Sequence, residues 1–125
     1  MYLIVFALHQ HPDWPLIISA NRDELHSRPT AEAHFWKQHP DIFAGRDLEA
    51  GGTWLGINQS GNIAALTNYR ESTRPQTNKN SRGKLCSDYL SGTQTAGSYM
   101  RLVKAQAMQY AGFNLLCGNV QQRHY

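Results

Sequence analysis

Two apolar segments near the amino terminus, separated by a proline-containing turn, constrain the fold of this chain most strongly. Residues 2–8 are continuously apolar, β-branched and aromatic, which predicts a strand covered on both faces. Residues 9–15 include two prolines, and residues 16–20 are apolar again, so the pair predicts a β-hairpin. The polar cluster at residues 21–24 ends the second strand and should therefore lie near the start of the first.

Further strands are expected in the middle of the chain. Arg28-Pro29-Thr30 predicts the start of an irregular segment, because proline disfavours the helical region for the residue before it, and Phe35-Trp36 should anchor that segment by burial. Residues 42–45 form a short apolar run. Gly51-Gly52 permits a turn before residues 53–58, and a tight turn then leads to residues 62–69, which predicts a second hairpin.

Helical periodicity appears only in the last third of the chain. Residues 70–80 are polar and predict a surface loop whose length suits a lid. A helix should begin at Ser81 or Arg82, a second should cover residues 96–110, and residues 113–117 should return as a strand. On the first helix one face is apolar, with Leu85, Cys86, Tyr89 and Leu90. Strands followed by helices and a final strand predict an α+β fold with an antiparallel sheet.

Composition excludes several classes of function. Twelve basic and nine acidic residues give a net charge of +3, and no dense basic block is present, so nucleic acid is not an expected partner. Residues 2–8 are too short for a membrane span or a signal sequence, which predicts a cytoplasmic protein. Cys86 and Cys117 have no CxxC spacing and are expected to be reduced thiols. No metal site and no cofactor are predicted.

Five short motifs occur in order along the chain: Ala20-Asn21-Arg22-Asp23-Glu24, Arg28-Pro29-Thr30, Ala44-Gly45-Arg46-Asp47, Gly51-Gly52-Thr53-Trp54-Leu55-Gly56 and Ala65-Leu66-Thr67-Asn68. Together they resemble the NRDE family, also called the transport and Golgi organisation family. Ser81-Arg82-Gly83 and Gly112-Phe113-Asn114-Leu115 extend the resemblance to about residue 118.

The resemblance implies a four-layer αββα fold like that of the N-terminal-nucleophile hydrolases. Members are about twice this length, so residues 1–125 are expected to form a single, truncated domain, the N-terminal half, incomplete in its layers. Such a half would expose apolar sheet surface and is expected to self-associate through it.

The same resemblance bears on chemistry, because related amidohydrolases use a cysteine after the initiator Met as nucleophile. In that scheme Arg22 would favour the thiolate or an oxyanion, and Asp23 would hold the terminal amine. Here residue 2 is Tyr, whose phenol is a poor acyl-transfer nucleophile near its reference pKa of about 10.

The sequence thus favours a non-catalytic protein that handles an unknown small molecule in cytosolic trafficking or metabolism. The alternatives are an active amidohydrolase acting on C–N bonds and a carrier of haem or a lipid-like ligand. His9 and His11 could bind haem iron, but two histidines in an exposed turn are more often not ligands. Some of the candidate binding residues also have a structural interpretation. Arg46-Asp47 could form a structural salt bridge, and Trp54 could be a core residue. The candidate binding residues are Asn21, Glu24, Arg46, Asp47, Trp54 and Asn68.

Overall fold

Strands come first along the chain and helices follow, as the sequence predicts. A computed structural model describes residues 1–69 and 79–125, and within those ranges it contains seven strands and two α-helices. Most of the predicted lid, residues 70–78, lies outside the described residues. The elements are β1 (Ile4–Leu8), β2 (Leu16–Ala20), β3 (Thr30–Phe35), β4 (Ile42–Asp47), β5 (Leu55–Asn58), β6 (Asn62–Asn68), α1 (Gly83–Ser91), α2 (Ala96–Gln106) and β7 (Phe113–Asn119).

The N-terminal hairpin is confirmed. Strands β1 and β2 are antiparallel, with Ile4 opposite Ala20 and Leu8 opposite Leu16. The expectation that the first strand is covered on both faces is wrong, because Val5 and Phe6 are 58% and 47% exposed. Among the described residues the hairpin forms a two-stranded sheet of its own, with no further strand paired to either of its edges.

A five-stranded antiparallel sheet in the order β3-β4-β5-β6-β7 forms the body of the molecule. The α+β class and the second hairpin are confirmed, with Gly61 in the turn between β5 and β6 at a φ of +86°. Strands β4 and β6 end, and β3 and β5 begin, at the same end of this sheet. That end carries the polar side chains considered below.

Strand β3 corrects the prediction of an irregular segment after Pro29. Its pairing with β4 includes a register shift between Ala31 and His34, so the polar sequence gives no regular alternation to detect. The anchoring prediction is half right. Trp36 is buried and donates its indole N–H to the Ala44 carbonyl at 3.1 Å, whereas Phe35 is exposed because adjacent strand residues face opposite sides.

The main core lies between the sheet and the two helices. Leu85, Cys86, Tyr89 and Leu90 are all buried on one face of α1, as predicted. The Tyr89 hydroxyl donates to the Gly118 carbonyl of β7 at 3.0 Å, which ties the helix to the sheet.

Helix α2 is shorter than predicted. It begins after Thr95, whose side chain accepts a hydrogen bond from the Ser98 amide, and a 3₁₀ turn (Ala107–Gln109) replaces its expected last turn. In the ranges that the structure describes, neither helix has the length and apolar character needed to cross a membrane.

Candidate functional site

Polar side chains from both sheets meet where the N-terminal hairpin approaches the end of the five-stranded sheet. They line a cavity of about 100 Å³, next to a larger one of about 800 Å³. Tyr2, Glu24, Asn68 and Arg82 line both cavities. We call the two together the Tyr2 cleft.

The N-terminal hairpin is closed by Asn21. Its side-chain oxygen accepts from the Leu3 amide at 2.7 Å, and its side-chain nitrogen donates to the Met1 carbonyl at 2.8 Å. Asn21 does not line either cavity. Its place in the structure is thus that of a hairpin clamp which holds the amino terminus beside the cleft.

Asp23 lies beside the chain terminus. Its carboxylate forms an ion pair with the Met1 amino group, and both residues line the larger cavity. The hairpin geometry inferred from the sequence therefore does bring this carboxylate to the terminal amine.

Arg22 is held by several partners in the smaller cavity. Its guanidinium lies 4.2 Å from the centre of the Trp54 ring, and one nitrogen donates to Thr30 Oγ1 at 2.6 Å. The other terminal nitrogen lies 4.0 Å from carboxylate oxygens of both Glu24 and Asp47. The stacking on Trp54 and the two nearby carboxylates together fix the orientation of the Arg22 guanidinium.

Asp47 forms an ion pair in the cleft with Arg28, a residue that the sequence did not single out as a site residue. Arg28 Nε and Nη2 both donate to Asp47 Oδ2, at 2.9 and 2.8 Å. Burial alone would raise the pKa of Asp47, but the bonds from Arg28 and from the Ala50 and Glu49 amides lower it. The same pairing raises the pKa of Arg28. The only sequence signal for Arg28 was its place in the Arg-Pro-Thr motif.

Arg46, the neighbour of Asp47, is not brought to the cleft. Its guanidinium lies 4.3 Å from the Trp36 ring centre and donates to Gln38 Oε1 at 2.8 Å and to the Gly51 carbonyl at 3.1 Å. Consecutive strand residues point to opposite faces, which explains why only one of this charged pair lines the cavity.

Tyr2 and Asn68 meet at the junction of the two cavities. Asn68 Nδ2 donates to the Tyr2 hydroxyl oxygen at 3.1 Å. The other end of that amide, Oδ1, is buried and has no hydrogen-bond partner among the residues that the structure describes. Burial and the Glu24 carboxylate raise the pKa of Tyr2, against the opposing effects of Asn68, Arg22 and Arg82. The phenol is therefore held in its neutral form.

Arg82 was also missed as a site residue, although it lies in the Ser-Arg-Gly motif. It precedes α1 as the N-cap residue and donates from Nη1 to the Gly112 carbonyl at 2.8 Å. Partial burial lowers its pKa, and across residues 1–69 and 79–125 no carboxylate forms an ion pair with it.

The two cysteines are free, as predicted, and lie in the core away from the cleft. Burial raises the pKa of Cys117 to about 12 and that of Cys86 well above its usual value. Neither thiol is accessible as a nucleophile. In the part of the chain that the structure covers, no group of three or more His, Cys, Asp or Glu side chains could hold a metal ion.

The two histidines considered as haem ligands are occupied separately in the hairpin turn. His9 Nε2 lies 3.1 Å from the Tyr125 hydroxyl, and His11 Nδ1 accepts from the Asp13 amide at 3.1 Å.

The fold and the cleft define an α+β protein with two antiparallel sheets and a polar site beside its amino terminus. Comparison with known proteins identifies the group: residues 1–125 match the family model described as Transport and Golgi organisation 2, and the chain belongs to that family. The family predicted from the five motifs is thereby confirmed.

Relatives with curated names extend this result. The chain is 38% identical over 129 residues to the Transport and Golgi organization protein 2 homolog of Bos taurus, covering 96% of this chain. Identity to the Homo sapiens homolog is also 38%, over 129 residues and with 96% of this chain covered. An uncharacterised protein of Saccharomyces cerevisiae is 35% identical over 96 residues, which cover 70% of this chain and 30% of the yeast protein. The chain spans 46% of the length of the bovine and human relatives.

Proposed function

We propose that this chain is a non-catalytic member of its family that binds a small molecule in the Tyr2 cleft, within cytosolic trafficking or metabolite handling. The observation that carries the proposal is the Tyr2 side chain. It lines both cavities, at the position where the resemblance to amidohydrolases leads one to expect a cysteine.

The chemistry of this phenol supports binding over catalysis. A nucleophile must be deprotonated, and the Tyr2 pKa is raised by burial and by Glu24. The Met1 amino group, which would have to accept the proton, is paired with Asp23. A neutral phenol beside two guanidinium groups and an amide is well suited to hydrogen-bond a polar ligand.

The test is intact-mass spectrometry of the purified chain before and after incubation with a reactive acyl ester. We expect Met1 to be retained, no acyl adduct on Tyr2, and no hydrolysis of amide or ester substrates. A Tyr2→Cys variant is the matched control, because a small residue at position 2 should permit removal of Met1. Turnover of an amide by the wild-type chain would overturn the proposal.

An active amidohydrolase is the second candidate, supported by the ion pair of Asp23 with the terminal amine and by the nearby Arg22. It requires Met1 to be removed so that residue 2 carries the free amine. The mass spectrum decides this point directly, and loss of turnover in an Asp23→Asn variant would then support the assignment.

A carrier of haem or a lipid-like molecule is the third candidate. It is supported by an apolar cavity of about 310 Å³ between the hairpin and the sheet, lined in part by Leu3, Phe6 and Leu116. Titration with haem at micromolar levels should shift the Soret band if the haem version is right. A fluorescent fatty acid, displaced by unlabelled fatty acid and excluded by Phe6→Asp, would identify the lipid version.

A further inference from the structure

The three arginines that line the smaller cavity are not equally paired with carboxylates. Three arginines, at positions 22, 28 and 82, face two carboxylates, Glu24 and Asp47. Asp47 is already engaged by Arg28 through two nitrogens. One nitrogen of Arg22 lies 4.0 Å from a carboxylate oxygen of Glu24 and 4.0 Å from one of Asp47, and its guanidinium stacks on the Trp54 indole. Arg28 is also paired with Glu49, so Arg82 is the one of these three arginines that forms no ion pair with a carboxylate of the described residues.

Arg82 is partly buried and only partly satisfied. One of its five N–H groups donates to the Gly112 carbonyl, while the residue lines both cavities of the Tyr2 cleft. A desolvated guanidinium is costly without an anion, and its planar fork matches a carboxylate. No carboxylate of the described residues takes that place. This arrangement favours an anion supplied by the ligand.

Asn68 indicates that the ligand should also carry an uncharged hydrogen-bonding group. Its Nδ2 donates to Tyr2, which leaves the buried Oδ1 without a donor among the residues that the structure describes. A buried amide atom without a partner costs free energy that a ligand can recover. A ligand amide satisfies Asn68 whichever way its side-chain amide is turned, because it offers both a donor and an acceptor.

We propose that the Tyr2 cleft takes a small organic carboxylate that also carries an amide, with the carboxylate at Arg82 and the amide at Asn68. The smaller cavity, at about 100 Å³, holds only the polar end of such a molecule. The remainder extends into the cavity of about 800 Å³. This inference rests on the proposed binding function and specifies its ligand.

The experiment is a titration of the 125-residue chain with succinamate, followed by NMR chemical shifts of the cleft residues. Succinamide, which lacks the charge, and 4-methylpentanoate, which keeps the carboxylate but replaces the amide by an apolar group of similar shape, are the matched probes. Inorganic phosphate tests whether any anion suffices. We expect succinamate to bind at least tenfold more tightly than each of the other three.

Variants separate the two contacts. Arg82→Gln should weaken succinamate binding at least tenfold, and Arg82→Lys should retain part of it because the cation remains. Arg101→Gln, at an exposed position of α2, should leave binding unchanged. If circular dichroism shows that Arg82→Gln does not fold, Arg82→Lys and the uncharged probe carry the comparison.

Each outcome bears on the inference. Equal binding of succinamide and succinamate at the cleft would reject the carboxylate and leave the binding function standing. Phosphate binding as tightly as succinamate would reject the amide requirement. If no probe shifts the cleft residues at millimolar concentration, the ligand class proposed here is wrong, whereas the mass-spectrometric test still judges the proposed function independently.

Discussion

Across β3, β4 and β5 the two faces of the five-stranded sheet have opposite environments, although the same strands form both. On the face toward the helices, Ile42, Ala44 and Ala64 are at most 2% exposed. On the other face Phe35, Phe43 and Ile57 are neighbours across β3, β4 and β5 and are 58%, 38% and 48% exposed. Because strand residues alternate, the apolar pattern reports which residues can be buried, but the helices decide which of them are.

The Tyr2 cleft lies at the end of this sheet, where the well-packed body meets the sparsely covered N-terminal hairpin. The body supplies Asp47, Trp54, Asn68 and Arg82, and the hairpin region supplies Tyr2, Arg22 and Glu24. A ligand in this cleft would contact both the well-packed body and the loosely packed hairpin. Its affinity would therefore depend on how firmly the hairpin is held against the body. The predictions below test this division.

Removal of core volume under the helices should have the largest effect. Leu90→Ala empties a site that is 1% exposed and should destabilise the chain by about 2–5 kcal/mol. The same change at Leu3, in the hairpin region and 54% exposed, should cost no more than about 0.5 kcal/mol. Urea unfolding of both variants measures the difference, and equal losses would contradict the division into two regions.

Asp47→Asn should have the next largest effect, because it removes the carboxylate that accepts from Arg28 Nε and Nη2 and leaves Arg28 paired only with the more exposed Glu49. Loss of a hydrogen-bonded charge contact of this kind costs about 1.5–3 kcal/mol. Asp88→Asn, an exposed partner of Lys84, is the control and should change the free energy of unfolding by about 0.5 kcal/mol or less.

The same pair gives a pH dependence. The pKa of Asp47 is lowered on folding from its ordinary value of 3.8, so its contribution is fully present above that value. It is lost as the pH falls through the lower pKa of the folded state. The stability gap between wild type and Asp47→Asn should therefore stay constant near neutral pH and shrink below about pH 4. A gap that grew on acidification would contradict the ion pair.

Gly52→Ala should have a slightly smaller effect by displacing the start of α1 from the sheet. A Cβ at this position would lie 2.4 Å from the Gly83 carbonyl carbon, a backbone atom that cannot turn away. Overpacking of this kind costs about 1–3 kcal/mol. Gly97→Ala within α2, where a Cβ would meet the flexible Arg101 side chain at an ordinary contact distance of 4.0 Å, should instead stabilise the helix by about 0.5–1 kcal/mol. Thermal melts of both variants test the contrast.

A charge on the uncovered face should affect stability least and association most. We expect the wild-type chain to self-associate through the face that carries Phe35, Phe43 and Ile57. Phe43→Lys should shift it toward monomer in size-exclusion chromatography, with a change in unfolding free energy within about 0.5 kcal/mol. Leu102→Lys is matched, since Leu102 is 41% exposed on α2. An equal effect of both, or a wild-type monomer, would rule this surface out.

Much of the local structure could be predicted from the residues. Both hairpins, the apolar face of α1 and the last strand follow from period and turn chemistry, which act over a few neighbours. Strand β3 could not be predicted, because its polar, bulged sequence becomes a strand only by pairing with β4. The end of α2 was also placed too late, since Ala107–Gln109 keep helical composition but adopt a tighter turn.

The candidate site divides in the same way. The sequence by itself determined that Tyr2, Arg22 and Asp23 would lie near the amino terminus, because hairpin register makes them neighbours. Only the tertiary structure decided that Asp47 faces the cleft while Arg46 does not, and that Arg28 and Arg82 join it. Those contacts depend on which face of a strand, or which end of a helix, packs against an element distant in the sequence. The local sequence pattern does not specify that packing.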